Sequence, residues 1–156
     1  MTFKVLFIQE EKGFTLLELA ISIVFMVFLI SCLVPFSLKA VSKNELKNAA
    51  HTIATDIRNG QQMALAQEYA FFKIKFMPHS NSYRIYFNRE DPMKYEIKKL
   101  PKRVILVGTN FDNHTVHFNA RGTVIKGGTI TLEDIYKKRM YVKVQPVTGR
   151  VKVDAN

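Results

Sequence analysis

A single cysteine, Cys32, stands among 156 residues, so no intramolecular disulfide can form and packing alone must hold the fold. Cys32 sits inside an apolar run and reads as a small buried hydrophobe. Glycine and proline are sparse, at seven and five, and they form no linker, repeat or low-complexity segment. A content of 47% hydrophobic and 23% charged residues excludes a disordered chain, and the length is that of one domain. Charge of either sign is missing from Leu19 to Phe36, where LAISIVFMVFLISCLVPF carries only Ser22 and Ser31 as hydroxyls. At about 1.5 Å per residue, a helix of roughly 18 to 23 residues crosses a hydrocarbon layer of about 30 Å, so this run has transmembrane length. A secretory signal has a shorter apolar stretch followed by small residues. Here Phe36, Ser37, Leu38 and Lys39 follow instead, and cleavage after the run is not expected.

A catalytic constellation is also missing. His114 and His117 are the best metal pair, but a spacing of three along a strand puts them on opposite faces. His51 and His79 stand alone, no cysteine partners them, and no phosphate-binding glycine motif precedes a helix. Asp112 and the pair Glu133 and Asp134 read as solvated turn acids rather than cation ligands. The sequence therefore predicts no enzyme, no metal and no cofactor.

The charge that is present is unevenly placed. Residues 1–13 balance Lys4 and Lys12 against Glu10 and Glu11, and residues 14–68 carry four basic and four acidic side chains. Residues 69–156 hold 17 Lys/Arg and 7 Asp/Glu, so the whole net charge of +10 resides there. Such a half attracts polyanions.

Two residues depart from a plain membrane anchor. Glu18 lies at the mouth of the apolar run, where a carboxylate costs up to about 2.5 to 3.5 kcal/mol at full membrane depth and less near the interface. Either a partner offsets that cost, or the side chain stays among headgroups at the positive end of the helix dipole. Pro35 removes the backbone hydrogen bond to the Ser31 carbonyl and predicts either a kink or a helix end at the membrane surface.

The string Lys12-Gly13-Phe14-Thr15-Leu16-Leu17-Glu18 resembles the prepilin peptidase motif of type IV pilins, type II secretion pseudopilins and competence pseudopilins. The resemblance implies a leader, residues 1–13, removed by prepilin peptidase between Gly13 and Phe14, and methylation of the new amine of Phe14. Glycine before the cut leaves the backbone open to a bulky protease. Glu18, the fifth residue of the mature chain, would then neutralise the N-terminal amine of a neighbouring subunit. Type IV pilins often carry a proline at the distance of Pro35, which the resemblance reads as a helix kink. Lys39, Lys43 and Lys47 follow the span and Lys4 and Lys12 precede it, so charge bias does not favour a cytoplasmic N-terminus. The motif orients the chain instead, implying a single-pass membrane protein with its C-terminal domain outside and at the cell surface once assembled.

Beyond Pro35 the apolar period changes. Leu46, Ala49, Ala50, Ile53, Ile57, Gly60 and Ala64 recur at steps of three and four, the pattern of an amphipathic helix. No turn cluster interrupts residues 14–68, so one helix of about 80 Å is expected, with residues 14–36 for membrane and filament core and 37–68 docked on the remainder. Its small residues invite a sheet or another helix to approach, although Gly60 also weakens the helix. Strands follow: Phe72, Ile74 and Phe76; Tyr83, Ile85 and Phe87; Tyr95 and Ile97; Val104 to Val107; Val116 and Phe118; Ile130 and Leu132. Met140, Val142 and Val144 face Val151 and Val153 across Pro146-Val147-Thr148-Gly149, a hairpin signal. The fold class is α+β, with half-buried antiparallel strands over residues 69–156 and one sheet face on the long helix.

The runs FNARGTVIKGGTITL (Phe118 to Leu132) and MYVKVQPVTGRVKV (Met140 to Val153) resemble minor pseudopilins of the GspH/FimT type. In them Gly122, Gly127 and Gly128 are expected to allow tight turns. The Lys-rich composition and short leader are most similar to Gram-positive competence pseudopilins of the ComG type. The resemblance implies a type IV pilin-like fold and a structural role in assembling a competence pilus and taking up transforming DNA, with other pilin-like subunits, prepilin peptidase and the membrane as partners. A minor pseudopilin of type II secretion or of another type IV pilus shares this architecture. A DNA-binding receptor module on an ordinary signal anchor is the reading from a different class. Lys137, Lys138, Arg139, Lys143, Arg150 and Lys152 form the candidate DNA-binding stripe, with Tyr136 and Tyr141 placed to stack on bases; a merely solvated basic surface is the competing reading.

Overall fold

The structure, a computed structural model, describes residues 15–66, 72–87, 94–146 and 148–155. The predicted leader with Gly13 and Phe14, the predicted helix end at Glu68, and Val147 of the hairpin turn lie outside the described residues. The chain divides into two compact units with the boundary between Leu38 and Lys39.

Helix α1 spans Leu16–Ala66, 51 residues. Thr15 starts it: its Oγ1 accepts the Glu18 N–H at 3.2 Å, meeting one of the donors that a helix N-terminus leaves open. In the first unit the uncharged stretch is exposed along its length, Val24 at 70% and Phe36 at 77%. α1 is long and apolar enough to cross a membrane. Its two hydroxyls are turned onto the helix itself, Ser22 donating to the Glu18 carbonyl at 2.8 Å and Ser31 to that of Phe28 at 2.7 Å, so neither needs water. The helical backbone continues through position 35, so Pro35 does not end the helix. Cys32 is exposed rather than buried, because a lone helix has no interior.

In the second unit the predicted face of α1 is buried. Leu46, Ala49, Ala50, Ile53, Ala54, Ile57 and Ala64 are each at most 5% exposed. Eight strands share that core: β1 (Lys73–Met77), β2 (Ser82–Tyr86), β3 (Tyr95–Lys99), β4 (Val104–Thr109), β5 (Thr115–His117), β6 (Gly128–Asp134), β7 (Arg139–Val144) and β8 (Val151–Ala155). All pairings are antiparallel, and they make two four-stranded sheets, ordered β3-β2-β1-β5 and β4-β6-β7-β8. The sequence predicts one sheet; there are two, because β4 pairs with β6 and not with β3. A side chain bridges them. Asn81, in the left-handed conformation, donates its amide to the Val104 carbonyl at 2.6 Å and accepts the Leu106 N–H at 2.8 Å, so its amide stands in for a strand residue on the free edge of β4.

The final hairpin has the predicted facing pairs, Val142 opposite Val153 and Val144 opposite Val151. β3 departs from the half-buried expectation. Tyr95 is 36% and Ile97 48% exposed, since β3 is an edge strand and their side of the sheet is turned away from the core. Gly122 has φ +69° and accommodates a turn where a Cβ would strike Leu65 and the Gln61 carbonyl. Gly127 and Gly128 serve close packing instead of positive-φ turns, against Pro146 and against Phe111.

Two contacts set the distance between helix and first sheet. Asp56, only 7% exposed, accepts the Tyr83 hydroxyl at 2.5 Å and the Lys98 ammonium at 2.8 Å. Burial, and then the hydrogen bond to Asp56, push the Tyr83 phenol far above its usual range, so it remains a donor. Gly60 is the second: a Cβ there would stand 2.2 Å from the Phe72 ring. Replacing a helical glycine by alanine gains about 1 kcal/mol of propensity, whereas overpacking costs about 1 to 3 kcal/mol. Gly60→Ala is therefore expected to lower stability by about 1 to 2 kcal/mol, read by thermal denaturation; a variant as stable as the parent would show that Phe72 yields freely.

Candidate functional site

The N-terminus of α1 is the first candidate. Thr15, Leu16, Leu17 and Glu18 have the spacing of a capping box, and Thr15 provides the side-chain cap. Thr15 is the residue that the sequence analysis passes over; its signal is the Thr-x-x-Glu pattern. Glu18 is the acidic residue of the first helical turn, where the partial positive charge of the helix end favours a carboxylate by about 0.3 to 1 kcal/mol. No ion pair to Glu18 occurs among the described residues. The chemistry available is thus one carboxylate beside a capped helix start, at the head of an exposed apolar surface.

The second candidate is the C-terminal basic stripe, and the fold brings its members to the turn between β6 and β7 and to the exposed face of the last hairpin. Lys143 stands directly opposite Lys152. Both reach Asp154, at 3.1 and 2.8 Å. Lys137 and Arg139 both reach Glu133, at 2.9 and 2.7 Å. Hydrogen bonds from Lys152 and then Lys143 hold the Asp154 carboxyl below its usual range, and those from Arg139 and then Lys137 do the same for Glu133. Four of the six predicted phosphate contacts are therefore matched to carboxylates of their own sheet. Lys138 and Arg150 are exposed and make no ion pair among the described residues. Tyr136 is 39% exposed, with the Lys39 ammonium 6.0 Å from its ring centre; Tyr141 is partly buried.

Glu133 and Asp134 are not the solvated turn acids that their sequence suggests. They are 5% and 1% exposed, and each has a structural task. Asp134 Oδ1 accepts the N–H groups of Tyr136 and Lys138 at 2.8 and 2.9 Å, and its Oδ2 accepts the Ser42 hydroxyl at 3.4 Å. This carboxylate closes the turn into β7 and ties it to α1. The turn needs the help, because Lys137 sits at φ +65°, a conformation costly for a residue with a Cβ.

The acids and histidines do not converge on a metal. Asp112 pairs with Lys126 at 2.9 Å, and His114 Nδ1 meets the Thr109 hydroxyl at 3.0 Å. Among the described residues, no group of three or more His, Cys, Asp or Glu could hold a metal ion.

Because the folded form holds Glu133 and Asp154 below their usual carboxyl range, the unfolded chain binds protons more readily than the folded one. Stability from these pairs is present above the unfolded carboxyl range and is lost as pH falls through it. Thermal melts from neutral to acid pH are expected to show this loss, with Glu133→Gln less stable at neutral pH and shallower in its acid decline; equal acid slopes would remove Glu133 from the account. No family model, curated protein sequence or solved structure matches this chain, so the functional reading rests on its own residues and geometry.

Proposed function

We propose that this chain is a pilin-like minor pseudopilin, a single-pass membrane subunit that assembles through its N-terminal helix into a competence pilus and serves the uptake of transforming DNA. One observation carries the reading. A single helix, Leu16–Ala66, joins a fully exposed apolar stretch of membrane length to an amphipathic stretch packed on antiparallel sheets. An exposed surface of that size is stable only in lipid or among the helices of other subunits, and a subunit that passes from one environment to the other needs both.

The residues around the helix start support the same reading. Gly13 and Phe14 mark the cut, and Phe14 receives the methyl group. Thr15 is then the second residue of the mature chain and caps its helix, so the processed chain keeps its capping residue. Glu18, in the first turn, offers a carboxylate to the amine of the next subunit, and pairing between the two offsets the cost of carrying either into an apolar core. The C-terminal domain lies outside the membrane in this proposal.

Co-expression with a prepilin peptidase is expected to shorten the chain by about 1.5 kDa, the share of thirteen residues in 18.0 kDa and 156 residues, as a processed leader requires. Gly13→Val should stay full length. Glu18→Val should be processed normally yet enter sheared filaments at least about tenfold less, the loss expected when one charge of a buried pair is left alone. Absence of any mass shift, or a Gly13→Val chain processed like the parent, would refute the pilin reading.

A further inference from the structure

The first sheet has a second face, and it is basic. β1, β2 and β5 turn Ile74, Phe76, Tyr83, Ile85 and Val116 into the core. The strand registers place Lys73, Lys75, Arg84 and Lys99 on the opposite face, with Tyr86 and Tyr95 beside them. The four strands contain one acid, Glu96, which is opposite Ile85 and so belongs to the other face. The contrast with the second sheet is direct. There, Glu133 and Asp154 answer the lysines; here, among the described residues of the strands, no carboxylate shares the face.

Charges of one sign are moreover set against each other. Lys75 is directly opposite Arg84, and Lys73 is directly opposite His117. Like charges in such pairs destabilise a sheet, a cost that folding alone gives no reason to bear. Partial burial, and then the Lys73 charge, lower the proton affinity of His117. Aromatic rings hold the cations in place. The Lys73 ammonium lies 4.6 Å from the Tyr86 ring centre and the Arg84 guanidinium 4.6 Å from that of Tyr95, and the two rings are 5.5 Å apart. A ring orders a cation without neutralising it. Arg84 Nε is shielded from solvent and has no hydrogen-bond partner, which is uncommon for a buried donor.

From this face we infer a binding site for single-stranded nucleic acid: cations on β1, β2 and β3 hold phosphates, and the exposed Tyr95 with its neighbour Ile97 receives bases. The geometry favours a single strand over the alternatives. Same-face residues along a strand are about 6.5 to 7 Å apart and neighbouring strands about 4.8 Å, a dense array suited to a closely charged, flexible backbone. A broad sheet face meets a duplex only along a tangent, and a duplex keeps its bases stacked inside. An unpaired strand can lie on the sheet and use both the cations and the ring, as in other sheet platforms for nucleic acid. An acidic polypeptide would satisfy the charges and leave Tyr95 and Ile97 without a use. The inference does not rest on the pilin reading, since it concerns only the sheet.

The test is fluorescence anisotropy of a labelled mixed-sequence DNA oligonucleotide with the full chain in nonionic detergent, across a range of salt. Binding is expected to weaken with salt, and the double variant Lys75→Gln, Lys99→Gln should lower the slope of log affinity against log salt by about 1.4, near 0.7 for each cation on a single strand. Both lysines are exposed, so the fold should survive; a thermal melt checks this, and Lys99→Gln alone replaces the double variant if it melts early. Tyr95→Ala should weaken single-strand binding at least about fivefold and leave duplex binding unchanged. The inference is overturned if the parent does not bind, if the lysine variants keep the parental slope, or if Lys138→Gln with Arg150→Gln causes the loss instead. It is equally overturned if the duplex binds more tightly than the single strand, or if polyglutamate of matched charge competes as well as DNA.

Discussion

The approach of α1 to the two sheets is the constraint on which the second unit depends. A helix comes close to a sheet only where its side chains are small, and Ala49, Ala50, Ala54 and Ala64 supply that face while Gly60 takes it to the limit against Phe72. Between the small residues, Leu46, Ile53 and Ile57 reach into the core shared by both sheets. Asp56 lies in the same stretch and admits only one arrangement. A buried carboxylate without partners is strongly unfavourable, and its two partners, Tyr83 and Lys98, come from β2 and β3. The pair of contacts thus fixes rotation as well as distance: sliding α1 along the sheet would leave Asp56 unmatched before it cost much apolar contact.

The far end of the helix is held by a different means. Arg58 donates to the Val151 carbonyl at 3.0 Å and Gln61 to that of Gly149 at 2.5 Å, so the last hairpin is bound through its backbone by helix side chains. This explains why the closing glycine matters. Gly149, at φ +64°, has no room for a Cβ beside Gln61. The runs containing Gly122 and Gly149, which the sequence marks only as turn signals, are docking loops for the last turns of α1.

Legibility in the sequence followed periodicity. The helix face at steps of three and four and the paired valines of the last hairpin were readable because one side of each element is buried and the other is not. The division into two sheets was not readable, because it depends on Asn81 standing in for a strand residue, and an asparagine in a turn looks the same whatever its amide bonds. The burial of Glu133 and Asp134 was hidden for a related reason. Their partners, Ser42, Lys137 and Arg139 among them, lie partly in another element, and an acidic pair before a basic run reads most simply as solvated turn chemistry. At the site, the Lys12 to Glu18 string was visible as a resemblance, whereas Thr15 as a cap required only its spacing from Glu18.

The distribution of charge separates structure from surface more clearly than the net total does. An excess of +10 over residues 69–156 invites the view that any cluster of lysines is a contact surface, and Lys137 to Arg139 is the densest run in the sequence. Yet a run along the chain says little about neighbours across a sheet. Glu133, four residues before Lys137 and six before Arg139, joins both to the start of β7, and Asp154 lies on the strand that brings Lys152 beside Lys143. Exposed ion pairs of this kind contribute little stability each, on the order of 0 to 1 kcal/mol, but they cancel charge locally. Lys73, Lys75, Arg84 and Lys99 are scattered in sequence and look unremarkable there. Strand pairing gathers them on one face, with rings rather than carboxylates for company. The positive field of the domain is therefore strongest where the fold assembles it, on the outer face of the first sheet, and not where the sequence is most basic.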